Sequence, residues 1–399
     1  MTMQEYKIKV ITSLAKMDVV RPLWEGTQWH PLADYEFFNL IIHSRAETVV
    51  PCVIVLYENE KPVSLLVGRI EMEKSRMRFG YATFGKISVR QLVFIGGGFL
   101  GEKSESHWLR ILAFVDRLML EKKIDLAIFE QIRFGSPELD ALKRVFNYAR
   151  CSLDKEGSKH WLLSLPSTWE AFLKSRKKKH RHELSRYPKV LDKKFGEQWI
   201  IKRYDTQALA MEFVEAAEAI ACKTYHRKLE VGFLYNEEYI QRVVLDARHG
   251  RLRGYVLYIK GEPKAFYYGF VYKTTLHLAA TGFDPAYRTY ELGTILLMRI
   301  FQDFCGTEVN VIDFGLGDAD YKRRLCSEYF VESPVYVFSS SMRGRGLHIL
   351  HSITKTFNKL GKSLLDKLQI TQYVKTRWKR RLVIQREIPA LPDQVKNDD

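Results

Sequence analysis

Two stretches of the chain carry the same order of apolar and polar positions. In the first, the apolar runs 51–57 and 62–70 flank the polar turn Glu58, Asn59, Glu60 and Lys61, which reads as a β-hairpin. A further β-rich run, 90–95, stops at Gly96, Gly97 and Gly98. Residues 107–119 then repeat Leu109, Leu112, Val115 and Leu118 at helical spacing, and 125–129 is a strand. In the second stretch, 253–260 and 264–272 flank a Gly261–Glu262 turn, and 276–280 is a strand running into a loop at Gly282. A helix over 292–304 places Ile295, Leu296, Ile300 and Phe301 on one face, and 309–314 is the closing strand. The same interval separates Phe99 from Ile128 and Phe283 from Ile312. Matching order and matching spacing predict a duplicated α/β unit.

Three other segments fit around the repeat. Residues 18–43, rich in Trp24, Trp29, Tyr35, Phe37 and Phe38, read as a loop leading into a helix. Residues 169–195 carry Leu173, Leu184, Val190 and Leu191 among many Lys and Arg, which predicts an exposed basic helix broken near Pro188. A helix follows Tyr204, with Asp205 or Thr206 as its N-cap and Leu209, Phe213, Ala216, Ala217 and Ile220 on one face. Near the C-terminus, 347–368 sets Leu350, Ile353, Phe357, Leu360, Leu364 and Leu368 against Lys355, Lys359, Lys362 and Lys367. Such a stripe packs on the protein's own core or touches a membrane surface. Residues 375–381 add positive charge, and the polar end from Pro389 is expected to fray.

Composition narrows the function classes. The 399 residues are 46% hydrophobic, with 23 Phe, 21 Tyr and 7 Trp, enough for two sizeable cores. Lys and Arg number 63 against 47 Asp and Glu, a net charge of +16 that suits an anionic partner: nucleic acid, an anionic membrane face, an acidic carrier protein or a phosphorylated co-substrate. The five cysteines are dispersed, with no CxxC pair and no zinc spacing, as expected of free thiols in a reducing cytosol and of a protein without a metal. The opening MTMQEYKIKV lacks the apolar run of a secretory signal, and no apolar stretch is long enough to span a bilayer.

Candidate chemistry concentrates in 276–325. The loop from Gly282 to Thr294 feeds a helix N-terminus, where unpaired N–H groups can hold an anion and Gly293 lets a pyrophosphate approach. The following strand ends on Asp313, Phe314 and Gly315, with Tyr321 and Lys322 just beyond. Asp313 can orient or deprotonate a nucleophile, Tyr321 can protonate a leaving group and Lys322 can neutralise a phosphate. The Asp-Phe-Gly triplet is not a kinase signature, since no glycine loop with a V-A-I-K strand and no HRD loop precede it. Among the histidines, His180 and His182 fall in the basic helix and His226 beside Tyr225. No Ser-His-Asp order with a GxSxG elbow exists, which excludes a hydrolase triad of that kind.

These residues resemble a known group. Gly282, Phe283, Asp284 and Pro285, then Tyr287, Tyr290, Gly293 and Thr294, the run Asp313 to Gly317, and Tyr321, Lys322 and Arg323 look like the C-terminal module of a GNAT-type acyltransferase family. It is the branch linked to cellulose and exopolysaccharide production and related to the Fem-type aminoacyltransferases. The basic segment 175–195 is similar to a helix this family carries between its halves, and the likeness spans roughly 15–340. The resemblance implies an α/β fold of tandem GNAT-like halves with mixed sheets. Its parts would be 1–165, a basic connector 166–200, a donor-binding half 201–345 and a basic helical extension 346–399. It implies N-acylation of an amine, with Asp313 and Tyr321 catalytic and Tyr287, Arg288, Tyr290, Gly293, Thr294 and Lys322 holding the donor. The family's pyrophosphate signature, Gln/Arg-x-x-Gly-x-Gly/Ala, is degenerate here, because four residues separate Arg288 from Gly293. Acyl-CoA, an acyl carrier protein and aminoacyl-tRNA therefore all stand as donors. A Fem-like transferase using RNA and a non-catalytic scaffold in a polysaccharide-synthesis assembly are the alternatives. The expected location is the cytoplasm, with peripheral contact at the inner membrane.

Overall fold

The computed structural model describes residues 5–79, 82–147, 149–224 and 232–367. Tyr225, His226, the basic stretch 375–381 and the C-terminal tail lie outside the described residues. Alternating apolar runs and tight turns give thirteen strands in one mixed sheet among those residues. The first half supplies β1 (Tyr6–Ile11), β2 (Val49–Glu58), β3 (Lys61–Phe79), β4 (Ala82–Gly101) and β5 (Leu126–Arg133), then the short β6 (Cys151–Leu153) and β7 (Ser158–Ser164). The second supplies β8 (Trp199–Tyr204), β9 (Leu252–Ile259), β10 (Glu262–Tyr272), β11 (Thr275–Phe283), β12 (Val311–Leu316) and β13 (Glu328–Phe338). Both hairpin turns use positive φ, at Asn59 and Glu60 in one and at Lys260 and Gly261 in the other, the geometry that matches strand twist.

The helices follow the same duplication. Helices α1 (Arg21–Thr27) and α2 (Tyr35–Ser44) lie ahead of β2, α3 (Glu105–Glu121) crosses from β4 to parallel β5, and α4 (Pro137–Val145) follows. The connector holds α5 (Trp169–Lys174) and α6 (Lys178–Phe195). In the second half α7 (Ala210–Ala221) and α8 (Glu237–Arg248) precede β9, α9 (Leu292–Phe304) crosses from β11 to parallel β12, and α10 (Asp320–Leu325) precedes β13. A last helix, α11, spans Met342–Lys367.

One feature of the topology decides how the site forms. The sheet order is β1-β2-β3-β4-β5-β13-β7-β12-β11-β10-β9-β8, with β6 also on β13. The last strand of each half has therefore crossed over: β7 pairs with β12 and β13 with β5. Each crossover helix pulls its two parallel strands together for only three or four residue pairs, ending at Phe94–Phe129 in the first half and at His277–Asp313 in the second. Beyond those pairs the strands fork, and the exchanged strand enters beside the gap.

Several elements differ from the sequence reading. Gly96, Gly97 and Gly98 do not end a strand, because β4 runs through them to Gly101. Gly97 has φ +73°, and a Cβ there would lie 2.3 Å from Cβ of His30, so the glycine lets His30 close on the sheet. Gly282 lies inside β11, paired with Phe266, and an added Cβ would meet that ring at 2.6 Å; it is a packing position and not part of an anion loop. Pro188 does not break α6, whose buried Leu184 and Leu191 hold it across α9. Helix α11 rests on the sheet through His348 against Phe338 and His351 against Tyr336, with ring centroids 4.8 and 5.2 Å apart. Of the predicted stripe, Leu350 is half-buried and Ile353 and Phe357 are exposed, while the side chains of Leu360, Leu364 and Leu368 lie outside the described residues. No described helix is long and apolar enough to cross a membrane.

Candidate active site

The second-half fork carries a polar cluster where the first-half fork carries two stacked aromatic rings. In the first, the last parallel pair is Phe94 and Phe129, stacked at 4.7 Å. In the second, the same pair is His277 and Asp313. His277 Nδ1 lies 3.0 Å from Asp313 Oδ2. His160 Nε2, delivered by the exchanged β7, lies 2.6 Å from Oδ1, and the backbone N–H of Gly315 donates to the same oxygen at 2.6 Å. His160 Nδ1 lies 3.3 Å from Glu332 Oε1 on the exchanged β13. His160 stacks on Phe330 and His277 on Phe270, which fixes both rings.

Protonation states follow from these contacts. Burial penalises charge on His160, but both its nitrogens face carboxylates, and the bonds to Asp313 and Glu332 override burial and push its pKa up to about 9. Burial alone would raise the Asp313 carboxyl; hydrogen bonds from His160 and His277 instead hold it well below the usual carboxylate range. Asp313 is therefore a weak base and a strong orienting group. A carboxylate accepts, so Nδ1 of His277 carries the proton, and its Nε2 has no partner among the described residues. His30 closes the same cavity; burial and the neighbouring His277 depress its pKa to about 4, so it is neutral. The cavity has a volume of about 380 Å³ and is bordered by residues of both halves.

The opposite face of β12 differs. Side chains alternate along a strand, so Phe314 points away from the cavity, into the apolar cluster under α9 and α6. Tyr321 packs there on Phe314, with centroids 6.2 Å apart. Burial raises the pKa of its hydroxyl, which keeps it protonated. Asp313 and Tyr321 thus stand on opposite sides of the fork.

The expected donor residues are spread over the β11–α9 loop. Asp284 caps a short 3-10 helix, Pro285–Tyr290, and its carboxylate meets Lys223 at 3.2 Å and Lys264 at 3.7 Å. Tyr287 and Tyr290 turn their rings toward Phe195 of α6, and Arg288 is exposed. An added Cβ at Gly293 would meet nothing within 4 Å, so the first turn of α9 has open space beside it. Two side chains are engaged otherwise than expected. The Thr294 hydroxyl donates to Glu291 at 3.2 Å. The Lys322 ammonium is buried and donates to the carbonyls of Phe314, Gly315 and Leu316, so it clamps the end of β12 and has no hydrogen bond left for a phosphate.

Sequence reasoning singled out Asp313 as a candidate but not the side chains that the structure places around it. His160, His277 and Glu332 lie on three strands that only the parallel register and the strand exchange bring together.

Comparison with known proteins bears on the domain and the fold. Residues 178–323, from α6 through the fork to α10, match the family described as acetyltransferase (GNAT) domain. The second half of the chain thus carries a GNAT-type acetyltransferase domain. No protein of curated function matches this chain in sequence. In structure it is similar to FemX, with a TM-score of 0.52, 9% identity, and 83% of this chain and 97% of that one covered. It is also similar to a conserved protein of unknown function from Bacteroides thetaiotaomicron (TM-score 0.50, 12% identity, 84% and 100% covered). A tandem GNAT protein from the clavulanic acid biosynthesis pathway reaches a TM-score of 0.49 at 10% identity, over 84% and 99% of the two chains. At such identities the FemX and Bacteroides likenesses speak for the fold: a large mixed sheet flanked by helices.

Proposed function

We propose that this acyltransferase moves an acyl group from an acyl-CoA thioester to an amine at the fork between β11 and β12. The observation that carries the reading is the Asp313–His277 pair, with His277 on the wall of the cavity. In this reading the amine enters from that cavity. His277 takes its proton as the nitrogen attacks the thioester carbonyl, and Asp313 holds the ring in the required tautomer. The C–N bond forms and the C–S bond breaks. The thiolate leaves on the α9 side, where Tyr321 supplies its proton. A bulge at Ala279, which the β10–β11 ladder skips, borders the cavity and turns backbone groups toward the reacting carbonyl. Gly293 and the first turn of α9 would receive the donor's phosphates, with Arg288, Tyr287 and Tyr290 around them. An acyl-CoA donor would make the cytoplasm the working compartment, and the motif resemblance supports a role in exopolysaccharide or cell-envelope metabolism.

The test is release of free thiol from acetyl-CoA in the presence of a panel of amines. The expected result is amine-dependent release that falls when Tyr321→Phe removes the proposed acid. Release from a CoA-binding preparation that ignores every amine would overturn the reading.

One observation favours a second donor. Lys178, Lys179, Arg186, Lys189, Lys193 and Lys194 are all exposed on α6, beside α9. An aminoacyl-tRNA donor would use that face, and its signature is RNA retention that weakens steeply with salt.

A further inference from the structure

We propose that the cavity on the amine side of the fork takes an amine that also carries an anionic oxygen group, a carboxylate or a phosphate, and that Arg242 grips that group. The inference rests on the reading of the fork as an acyl-transfer site and adds the class of acceptor. Arg242 stands on α8 with its side chain only 14% exposed. Its guanidinium is sandwiched between Phe37 of the first half, 3.6 Å from the ring centroid, and Phe270 of the second, at 4.6 Å. Stacking occupies the two faces of the plane and leaves the N–H edges free. Nε donates to Asp246 Oδ2 at 3.1 Å, and Asp246 is drawn further into the protein by the Tyr268 hydroxyl at 2.5 Å.

The remaining guanidinium N–H groups have no hydrogen-bond partner among the described residues, yet Arg242 borders the cavity. A largely buried cation held by two aromatic rings, with donors beyond its Asp246 contact and bordering a polar cavity, suits a planar or tetrahedral oxyanion. The other end of the cavity carries His160, His277 and Asp313, whose polar groups suit the nitrogen of an incoming amine. Phe270 joins the two ends, since it lies under Arg242 and stacks on His277 at 5.1 Å. A molecule with an amine at one end and an anion at the other would be held by both, its nitrogen presented to His277. The volume of about 380 Å³ suits an amino acid or an amino sugar phosphate.

The experiment measures binding, by ligand-observed NMR, of matched pairs that differ only in the anionic group: glycine and glycinamide, β-alanine and its amide, glucosamine 6-phosphate and glucosamine. Wild type, Arg242→Gln and Arg242→Lys are compared; the lysine variant keeps the charge beside Asp246 and guards against loss of fold. The expected result is that at least one anionic member binds wild type, its neutral partner binds roughly 10- to 100-fold more weakly, and both variants lose that preference. Equal binding of charged and neutral partners, no binding of any anionic member, or unchanged preference in the variants would overturn the proposal. A parallel titration with CoA reports on the donor side, so failure of the acyl-transfer reading itself would register there and not in the pairs.

Discussion

Asp313 shares one carboxylate between two imidazoles, and the sharing sets a pH dependence that can be measured. His160 is held charged well above its ordinary range, so the stability it contributes is fully present below about pH 6.5 and is lost as the pH rises toward about 9. Asp313 works in the other direction. Its contribution is present above the ordinary carboxylate range and is lost only in strong acid, as the pH falls through its depressed value. The difference in thermal midpoint between wild type and His160→Asn is therefore expected to narrow between pH 6.5 and 9. A difference that stays constant across that window would mean the imidazolium does not matter to the fold. At this scale the sequence named Asp313 and Tyr321, because a carboxylate at a strand end and a tyrosine just after it are visible in one segment. It also suggested Lys322 as a phosphate ligand, and the structure turns that ammonium inward on three carbonyls. Nothing in a linear string distinguishes a lysine that reaches out from one that caps its own turn.

Among the elements, α9 was the most legible. Its apolar spacing predicts 292–304, and the helix spans Leu292–Phe304. Strong periodicity and a full buried face made its limits plain. The linker was harder to read, because Pro188 argues for a break that packing on α9 overrides. The open space at Gly293 gives a prediction for α9 as a donor helix. Gly293→Glu would put a carboxylate on its first turn, where a helix N-terminus otherwise favours phosphate. Calorimetric titration with acetyl-CoA is expected to give binding in wild type and a loss of at least about tenfold in the variant. Equal binding would remove this loop as the donor cradle.

For the whole molecule, duplication was legible from repeated spacing, and the exchange of β7 and β13 was not. The exchange places His160 beside Asp313 although 153 residues separate them, and puts Glu332 beyond His160. Such pairings depend on strand register over long sequence separations, which no local pattern encodes. The halves differ at the equivalent pair: Phe94 and Phe129 stand at one fork, His277 and Asp313 at the other. The central claim is that this second fork performs acyl transfer with His277 as base. The most direct test is amine-dependent thiol release from acetyl-CoA by wild type and His277→Ala, with CoA affinity measured on both. A general base contributes on the order of 10²- to 10⁴-fold. The account predicts a fall of that size in His277→Ala with CoA affinity unchanged, and turnover within a few-fold of wild type would contradict it.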